Sequence, residues 1–269
     1  MAGNIDRRNW LKSAAALAAA GLAPARLCAQ TPSAPGTLPP RDEFVVRNAI
    51  VLSIDERIGD FARGDVHVRN GAIIAVAKEI VAPGVASIDA SGMICMPGFV
   101  DTQVQLWTSG LRSLIRMNEP KSGYFPITNK LGTHYMPEDS YRHVRLGLAE
   151  ALAAGATTVH NWAHNVRSPA HADAELRAMR DTGIRGRFAY GPAQNMPNDQ
   201  PMDLAGLAKI QREWMPNDGT LTLGINSRNV GDDPNPLRGN IPIDIMKLEW
   251  SAARIRAFST RHRPQTFTS

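Results

Sequence analysis

Met96-Pro97-Gly98-Phe99-Val100-Asp101-Thr102-Gln103-Val104-Gln105-Leu106-Trp107 is the stretch on which the fold turns. Upstream of it, from residue 43, the pattern is all strand; downstream, strand and helix alternate. Within it a Pro-Gly turn opens onto an apolar, β-branched run, so Phe99 to Leu106 reads as a strand. Side chains two apart on a strand share a face, which sets Asp101, Gln103 and Gln105 on one side.

Downstream, a long irregular stretch, 107–136, leads to a helix over 138–154, with Tyr141, Val144, Leu148, Ala151 and Leu152 along one side. Pro137 suits its first position and Gly155 its stop. Thr157 to Trp162 is the next strand. Ser168-Pro169 caps a helix that Gly183 ends, and Arg187 to Tyr190 is the third strand. Asp203 caps a helix carrying Leu204, Leu207, Ile210 and Trp214, and Leu221 to Asn226 is the fourth strand. A helix over 243–257 is expected to bury Ile245, Leu248, Ala252 and Ile255, after which only Gln265 to Thr268 is strand-like. This alternation implies a parallel α/β architecture, either an open doubly wound sheet or a closed barrel. No Gly-x-Gly-x-x-Gly turn follows the first strand, which argues against a dinucleotide site. Residues 98–269 hold about four and a half strand-helix units, too few for an eight-strand barrel of about 250 residues.

Upstream, residues 43–97 form a small β-domain. Phe44-Val45-Val46, Ile50-Val51-Leu52, Asp65 to Arg69, Ala72 to Val76 and Ser87 to Ala90 are strands, and Asn70-Gly71 makes a two-residue hairpin turn. His67 alternates with Val66 and Val68, which places it on the solvated side. Cys95 sits in an apolar run and reads as a small buried hydrophobe; as the single cysteine of the body it has no internal disulfide partner. Residues 31–42 are a Pro-rich linker. Residues 1–30 read as an export signal: Asp6-Arg7-Arg8-Asn9-Trp10-Leu11-Lys12 resembles the twin-arginine motif, and the apolar run Ser13 to Ala25 is too short to span a bilayer. Cleavage is expected after Ala23-Pro24-Ala25 or Leu27-Cys28-Ala29, with delivery by the twin-arginine (Tat) machinery to the periplasm or beyond. No later run of eighteen apolar residues offers a membrane span.

A hydrophobic fraction of 43% and a charged fraction of 20% are those of an ordinary globular protein. The net charge of +5 belongs to the ends: Arg7, Arg8, Lys12 and Arg26 face only Asp6 in residues 1–30, and Arg254, Arg256, Arg261 and Arg263 face no acid in residues 250–269. The body is slightly acidic, which excludes nucleic acid as a partner on electrostatic grounds.

The segment Pro97 to Trp107 resembles the first barrel strand of the metal-dependent amidohydrolase superfamily, in its cytosine-deaminase and chlorohydrolase branch, which reads Pro-Gly-Phe-Val-Asp-x-His-x-His. The likeness continues through Ala149-Glu150-Ala151-Leu152-Ala153-Ala154-Gly155-Ala156-Thr157-Thr158-Val159 and covers residues 44 to about 255. It implies an incomplete TIM-type (β/α) barrel, about strands 1–5 of eight, over residues 98–257, preceded by a small β-sandwich-like domain over 43–97 and followed by a basic tail, 258–269. The resemblance further implies a hydrolase that attacks carbon–nitrogen bonds other than peptide bonds with water activated by a divalent metal, zinc or iron. In the family two imidazoles stand where this chain has Gln103 and Gln105. A neutral amide oxygen is a poor ligand for such ions, so metal binding is expected to be weak or absent, turnover impaired, and the two amides to hydrogen-bond a polar substrate or water.

The family also draws ligands from its fifth, sixth and eighth strands. Phe267 lies about where the fifth-strand histidine belongs, so the tail after about Arg254 is expected to reflect a frameshift or early stop in a longer gene. The candidate substrate pocket comprises Gln103, Gln105, His160, Trp162, His164 and Asn226, with Ser227 and Asn229 closing the fourth strand as hydrogen-bonding groups or caps. His134, His143 and His171 read as solvated, and His262 belongs to the basic tail. Three readings follow: an active exported hydrolase with an unusual metal set, a catalytically dead remnant of one, and a periplasmic module that binds a small molecule. Open barrel edges predict self-association in each.

Overall fold

The computed structural model describes residues 42–116, 118–230 and 240–257. The export signal, nearly all of the linker and the basic tail, with His262 and Gln265 to Thr268, lie outside the described residues. Two units divide between Pro97 and Gly98.

In the first unit, β1 (Glu43–Val51) runs antiparallel to β2 (Phe61–Arg69), which turns into β3 (Ala72–Ala77). The turn residues Asn70 and Gly71 both take positive φ, 50° and 75°, as a type I′ hairpin requires and as an Asn-Gly pair adopts at little strain. β4 (Ser87–Asp89) and β5 (Ile94–Cys95) lie parallel to the first and second halves of β1. The change of partner falls beside Asn48, whose φ of 61° accompanies a register shift in the β1–β2 ladder. Ala49, Val51, Val66 and Ala90 form the core, with half-buried Cys95 packed on it.

His67 departs from its sequence reading: it is 6% exposed, and its Nε2 lies 2.8 Å from a Glu43 oxygen that Arg69 also contacts. Alternation fails here because β2 is an inner strand, covered on both faces along Gly64 to His67. Beside it, buried Asp65 accepts from Arg47 Nη1 at 2.9 Å and from the backbone N–H groups of Asn48 and Ile80 at 3.0 and 3.1 Å.

The second unit is α/β, with a parallel sheet. β6 (Phe99–Val104), β7 (Ala156–Ala163), β8 (Arg185–Tyr190) and β9 (Leu221–Ile225) lie side by side in chain order. A 3-10 segment, Leu106–Leu114, and α1 (Tyr124–Gly132) follow β6; α2 (Pro137–Ala153), α3 (Pro169–Thr182), α4 (Leu204–Trp214) and α5 (Ile243–Ala257) complete the order. Pro137 opens α2, where the Asp139 carboxylate accepts from Met136 N–H at 2.9 Å, and Gly155 at φ 85° follows its end. Gly183 at φ 70° stops α3, and the Asp203 carboxylate caps α4 through Gly206 N–H. Ser168 occupies the N-cap of α3 without capping it; its hydroxyl lies 2.9 Å from His171 Nδ1.

Along β7, Val159, Asn161 and Ala163 are buried while Thr158, His160 and Trp162 are half-exposed. Val144 and Leu148 of α2 and Leu176 and Met179 of α3 share one core with Val159, Phe188 and Tyr190. A fully buried side chain of this size contributes about 1.5–3 kcal/mol, so this face of the sheet anchors the strands.

Three sequence readings are corrected in this unit. The irregular stretch contains α1 and the 3-10 segment, which the pattern missed because Ile127 and Leu131 alone supply the packed apolar side of a short helix whose first turn holds Pro126. His171 is buried, its Nε2 donating to the Tyr135 carbonyl at 3.0 Å, and half-buried His143 places Nδ1 2.6 Å from the Tyr135 hydroxyl; His134 alone of the three is exposed. On α5, Leu248 is 54% exposed while its neighbour Glu249 is fully buried, because Glu249 is the acceptor for Met202 N–H and Arg228.

Candidate functional site

The C-terminal ends of parallel strands leave backbone groups and loop side chains facing a common crevice, the usual ligand site of such sheets. Here those ends enclose an open cavity of about 390 Å³. Gln103 and Gln105 come from the end of β6, Trp162 from β7 and His164 from just beyond it, residues 192–196 and Asn198 from the loop after β8, and Asn226, Ser227, Arg228 and Asn229 from the end of β9; Tyr124, Phe125 and Asn129 of α1 close one side.

Gln103 and Gln105 reach the same cavity because Val104 between them pairs with Asn161 and packs on the helix-side core. The strict alternation expected for Asp101 does not extend that far back. Asp101 pairs with Val159 and Val104 with Asn161, three residues against two, so a bulge intervenes. The Asp101 carboxylate turns onto the bulge and accepts from Gln103 N–H at 3.0 Å.

Behind the cavity wall, Trp107 Nε1 donates to His164 Nδ1 at 2.9 Å, His164 Nε2 lies 3.1 Å from the Tyr124 hydroxyl, and that hydroxyl bonds Gln105 Oε1. Trp107 is itself fully buried, edge-on to Tyr135 and to the His164 ring. Burial pushes the His164 pKa down, partly opposed by the Trp162 carbonyl, so the imidazole is neutral near pH 7. Burial raises the Tyr124 phenol to about 12, which keeps its proton in place.

The loop after β8 is held by side chains rather than by a ladder. Gln194 Nε2 donates to the His164 carbonyl at 3.0 Å and its N–H to Asn165 Oδ1 at 3.1 Å, while Asn165 Nδ2 donates to the Gly132 carbonyl at 3.0 Å. On the far rim, Arg228 donates to the carbonyls of Pro197, at 2.9 Å, and Gln200, and pairs with Glu249 at 2.8 Å.

Gln103, Gln105, Trp162, His164 and Asn226 thus share one cavity, and His160 does not line it. His160 lies one pleat deeper on β7, its ring centroid 5.7 Å from that of Trp162, with burial and then the Arg187 charge lowering its pKa. Sequence reasoning missed Trp107, Tyr124, Gln194 and Arg228. For Trp107 a signal existed, an aromatic residue directly after the decisive strand; for Tyr124, beyond the 3-10 segment, and for Gln194 and Arg228, in polar loops, none did.

No family model matches the chain. Among curated proteins it is 31% identical over 157 residues to a 5-methylthioadenosine/S-adenosylhomocysteine deaminase of Symbiobacterium thermophilum, covering 56% of this chain and 34% of that protein. It is 26% identical over 159 residues to a 5'-deoxyadenosine deaminase of Methanosarcina mazei, covering 55% and 33%. These relatives support the metal-dependent amidohydrolase superfamily as the family of this chain. Its fold agrees with two solved structures: a mutant of an atrazine chlorohydrolase of Arthrobacter aurescens TC1 complexed with zinc and atraton (TM-score 0.58, 19% identity, 68% of this chain and 46% of that one), and an adenosine deaminase of Xanthomonas campestris with bound zinc (0.54, 18%, 70% and 43%). The chain spans about a third of the length of the curated relatives it matches.

The donor set here does not fit the zinc that those two structures hold. The strand-end positions offer carboxamides, and the oxygen of Gln105 already accepts the Tyr124 hydroxyl. His164 Nδ1 accepts the Trp107 N–H. Among the described residues no three His, Cys, Asp or Glu side chains are grouped to hold a metal ion.

Proposed function

We propose that this amidohydrolase-superfamily chain, of the deaminase and chlorohydrolase-like branch, binds a small polar heterocycle at its strand ends, while metal-dependent hydrolysis of a non-peptide carbon–nitrogen bond is impaired. In this reading β6 to β9 are the opening strands of a TIM-type barrel and the first unit is the β-domain that precedes it. One observation carries the proposal: both inward positions at the end of β6 hold amides, and the Gln105 oxygen is taken by Tyr124. Neutral amides beside Trp162 and Phe125 suit a flat, uncharged, hydrogen-bonding ring, stacked and edge-bonded, better than an ion. This supports the small-molecule binding module over a remnant without any site, since the cavity walls are cross-linked by hydrogen bonds from β7, α1 and two loops.

The test is metal content by mass spectrometry on the purified chain, with calorimetric titration and ammonia release for 5'-deoxyadenosine, S-adenosylhomocysteine and atraton. Saturable binding with well under one equivalent of zinc or iron and no release is expected. One equivalent of metal with chelator-sensitive turnover overturns the proposal. We also propose export: residues 1–30 fused to a reporter should reach the periplasm only in cells with a working twin-arginine system. Sedimentation should show self-association through the strand edges of β6 and β9; a monodisperse monomer at tens of micromolar contradicts it.

A further inference from the structure

We propose that the cavity selects ligands by a hydrogen-bond acceptor, because Trp107, His164 and Tyr124 fix the Gln105 carboxamide with its Nε2 donor turned to the ligand. This rests on the preceding reading of the cavity as a heterocycle site and says which edge of the ring it requires.

An indole nitrogen donates and never accepts, so the 2.9 Å contact from Trp107 Nε1 demands a lone pair on His164 Nδ1. The Trp162 carbonyl, 3.0 Å from the same nitrogen, can only accept and so competes for a proton there; a neutral ring cannot serve both neighbours, and the shorter indole contact is the one this proposal assigns. With Nδ1 unprotonated, a neutral imidazole carries its hydrogen on Nε2. Nε2 therefore donates to the Tyr124 oxygen at 3.1 Å, and the reverse order would need an imidazolate, with both ring nitrogens bare. Tyr124, its oxygen accepting from His164, sends its own hydrogen to Gln105, and the carboxamide must answer with Oε1. Rotating the amide would bring N–H against O–H.

What remains of Gln105 is an NH2 group on the cavity wall, which has no partner among the described residues. A ring nitrogen or carbonyl oxygen of the ligand satisfies it, whereas a C–H leaves it unpaired and an N–H repels it. Gln103 is the contrast: no protein group among the described residues holds its amide, so it turns to suit either edge and does not discriminate. Trp107, His164 and Tyr124 are positioning residues, acting on the ligand through Gln105.

The test uses the full chain and purine with its 1-, 3- and 7-deaza analogues, which exchange one ring nitrogen for C–H at nearly constant shape. Titration calorimetry should find one analogue about five- to tenfold weaker than purine, the rest within about twofold, since one hydrogen bond and one stranded donor separate them. In Tyr124→Phe the amide turns freely, so purine still binds and the discrimination falls to about twofold or less. Nitrogen-15 NMR of the wild-type imidazole, assigned by its loss in His164→Gln, should show a neutral ring protonated on Nε2. Equal affinity for all four probes, or discrimination unchanged in Tyr124→Phe, overturns the proposal while leaving the binding site standing. A ring protonated on Nδ1 overturns it with no ligand involved, and so stands as the test should Tyr124→Phe fail to fold. Absence of saturable binding by every probe refutes the heterocycle site and this proposal together.

Discussion

Glu175→Gln should stabilise the protein at neutral and alkaline pH and change little at pH 5. Glu175 lies on α3, fully buried, where one carboxyl oxygen accepts from Asn161 Nδ2 at 2.8 Å while the other oxygen and Asn161 Oδ1 have no partner. Burial raises its pKa from 4.5 to about 8, against the lowering effect of the Asn161 bond. Below about pH 4.5 the group is protonated whether the chain is folded or not, and its stabilising contribution is whole. Between 4.5 and 8 the unfolded chain loses the proton and the folded chain keeps it, so stability declines as pH rises and levels off above about 8. At about 1.4 kcal/mol per pH unit across that interval, the loss is on the order of 5 kcal/mol. Glutamine has the shape of the acid, carries no charge and supplies an N–H donor for Asn161 Oδ1. Thermal unfolding of both proteins from pH 5 to 8.5 should therefore give curves that meet at the acid end and diverge upward, at about 2–4 °C for each kcal/mol. Curves that run parallel across the range would refute the claim that this carboxyl is neutral in the folded state.

Glu249→Ala should lower stability by about 3–5 kcal/mol in urea titrations and quicken proteolysis within 197–202, because it strands the buried Arg228 guanidinium and frees Met202 N–H; a change under 1 kcal/mol would show that the ion pair does not hold the rim. Gly186→Ala should cost about 1–3 kcal/mol by the same measurement, since an added Cβ would stand 2.6 Å from Met179 Cε and 2.9 Å from the Val159 carbonyl, where β8 meets α3. Removing the α4 cap in Asp203→Ala should cost about 1 kcal/mol, read as a small drop in melting temperature without change in ligand affinity.

The sequence by itself determined the order of the strands after Pro97 and of the helices from Pro137 on, the hairpin at Asn70-Gly71, the helix starts at Pro137 and Asp203, and the stops at Gly155 and Gly183. Each depends on the chain's local backbone preferences or on a short apolar period, which a few neighbouring residues express. It also placed Gln103, Gln105, Trp162, His164 and Asn226 at one end of the sheet, because parallel strands bring their C-terminal ends together. Only the tertiary structure decided which polar groups are buried: His67 on an inner strand, His171 under Tyr135, Glu175 behind β7, and Glu249 where an apolar stripe was expected. It likewise decided the bulge that withdraws Asp101 and the pleat that leaves His160 outside the cavity. The line from Trp107 through His164 and Tyr124 to Gln105 joins groups up to 57 residues apart in the chain, with no shared period to announce them. Such bonds exist because buried donors and acceptors must find partners wherever the packed chain supplies them, and that matching is a property of the assembled core.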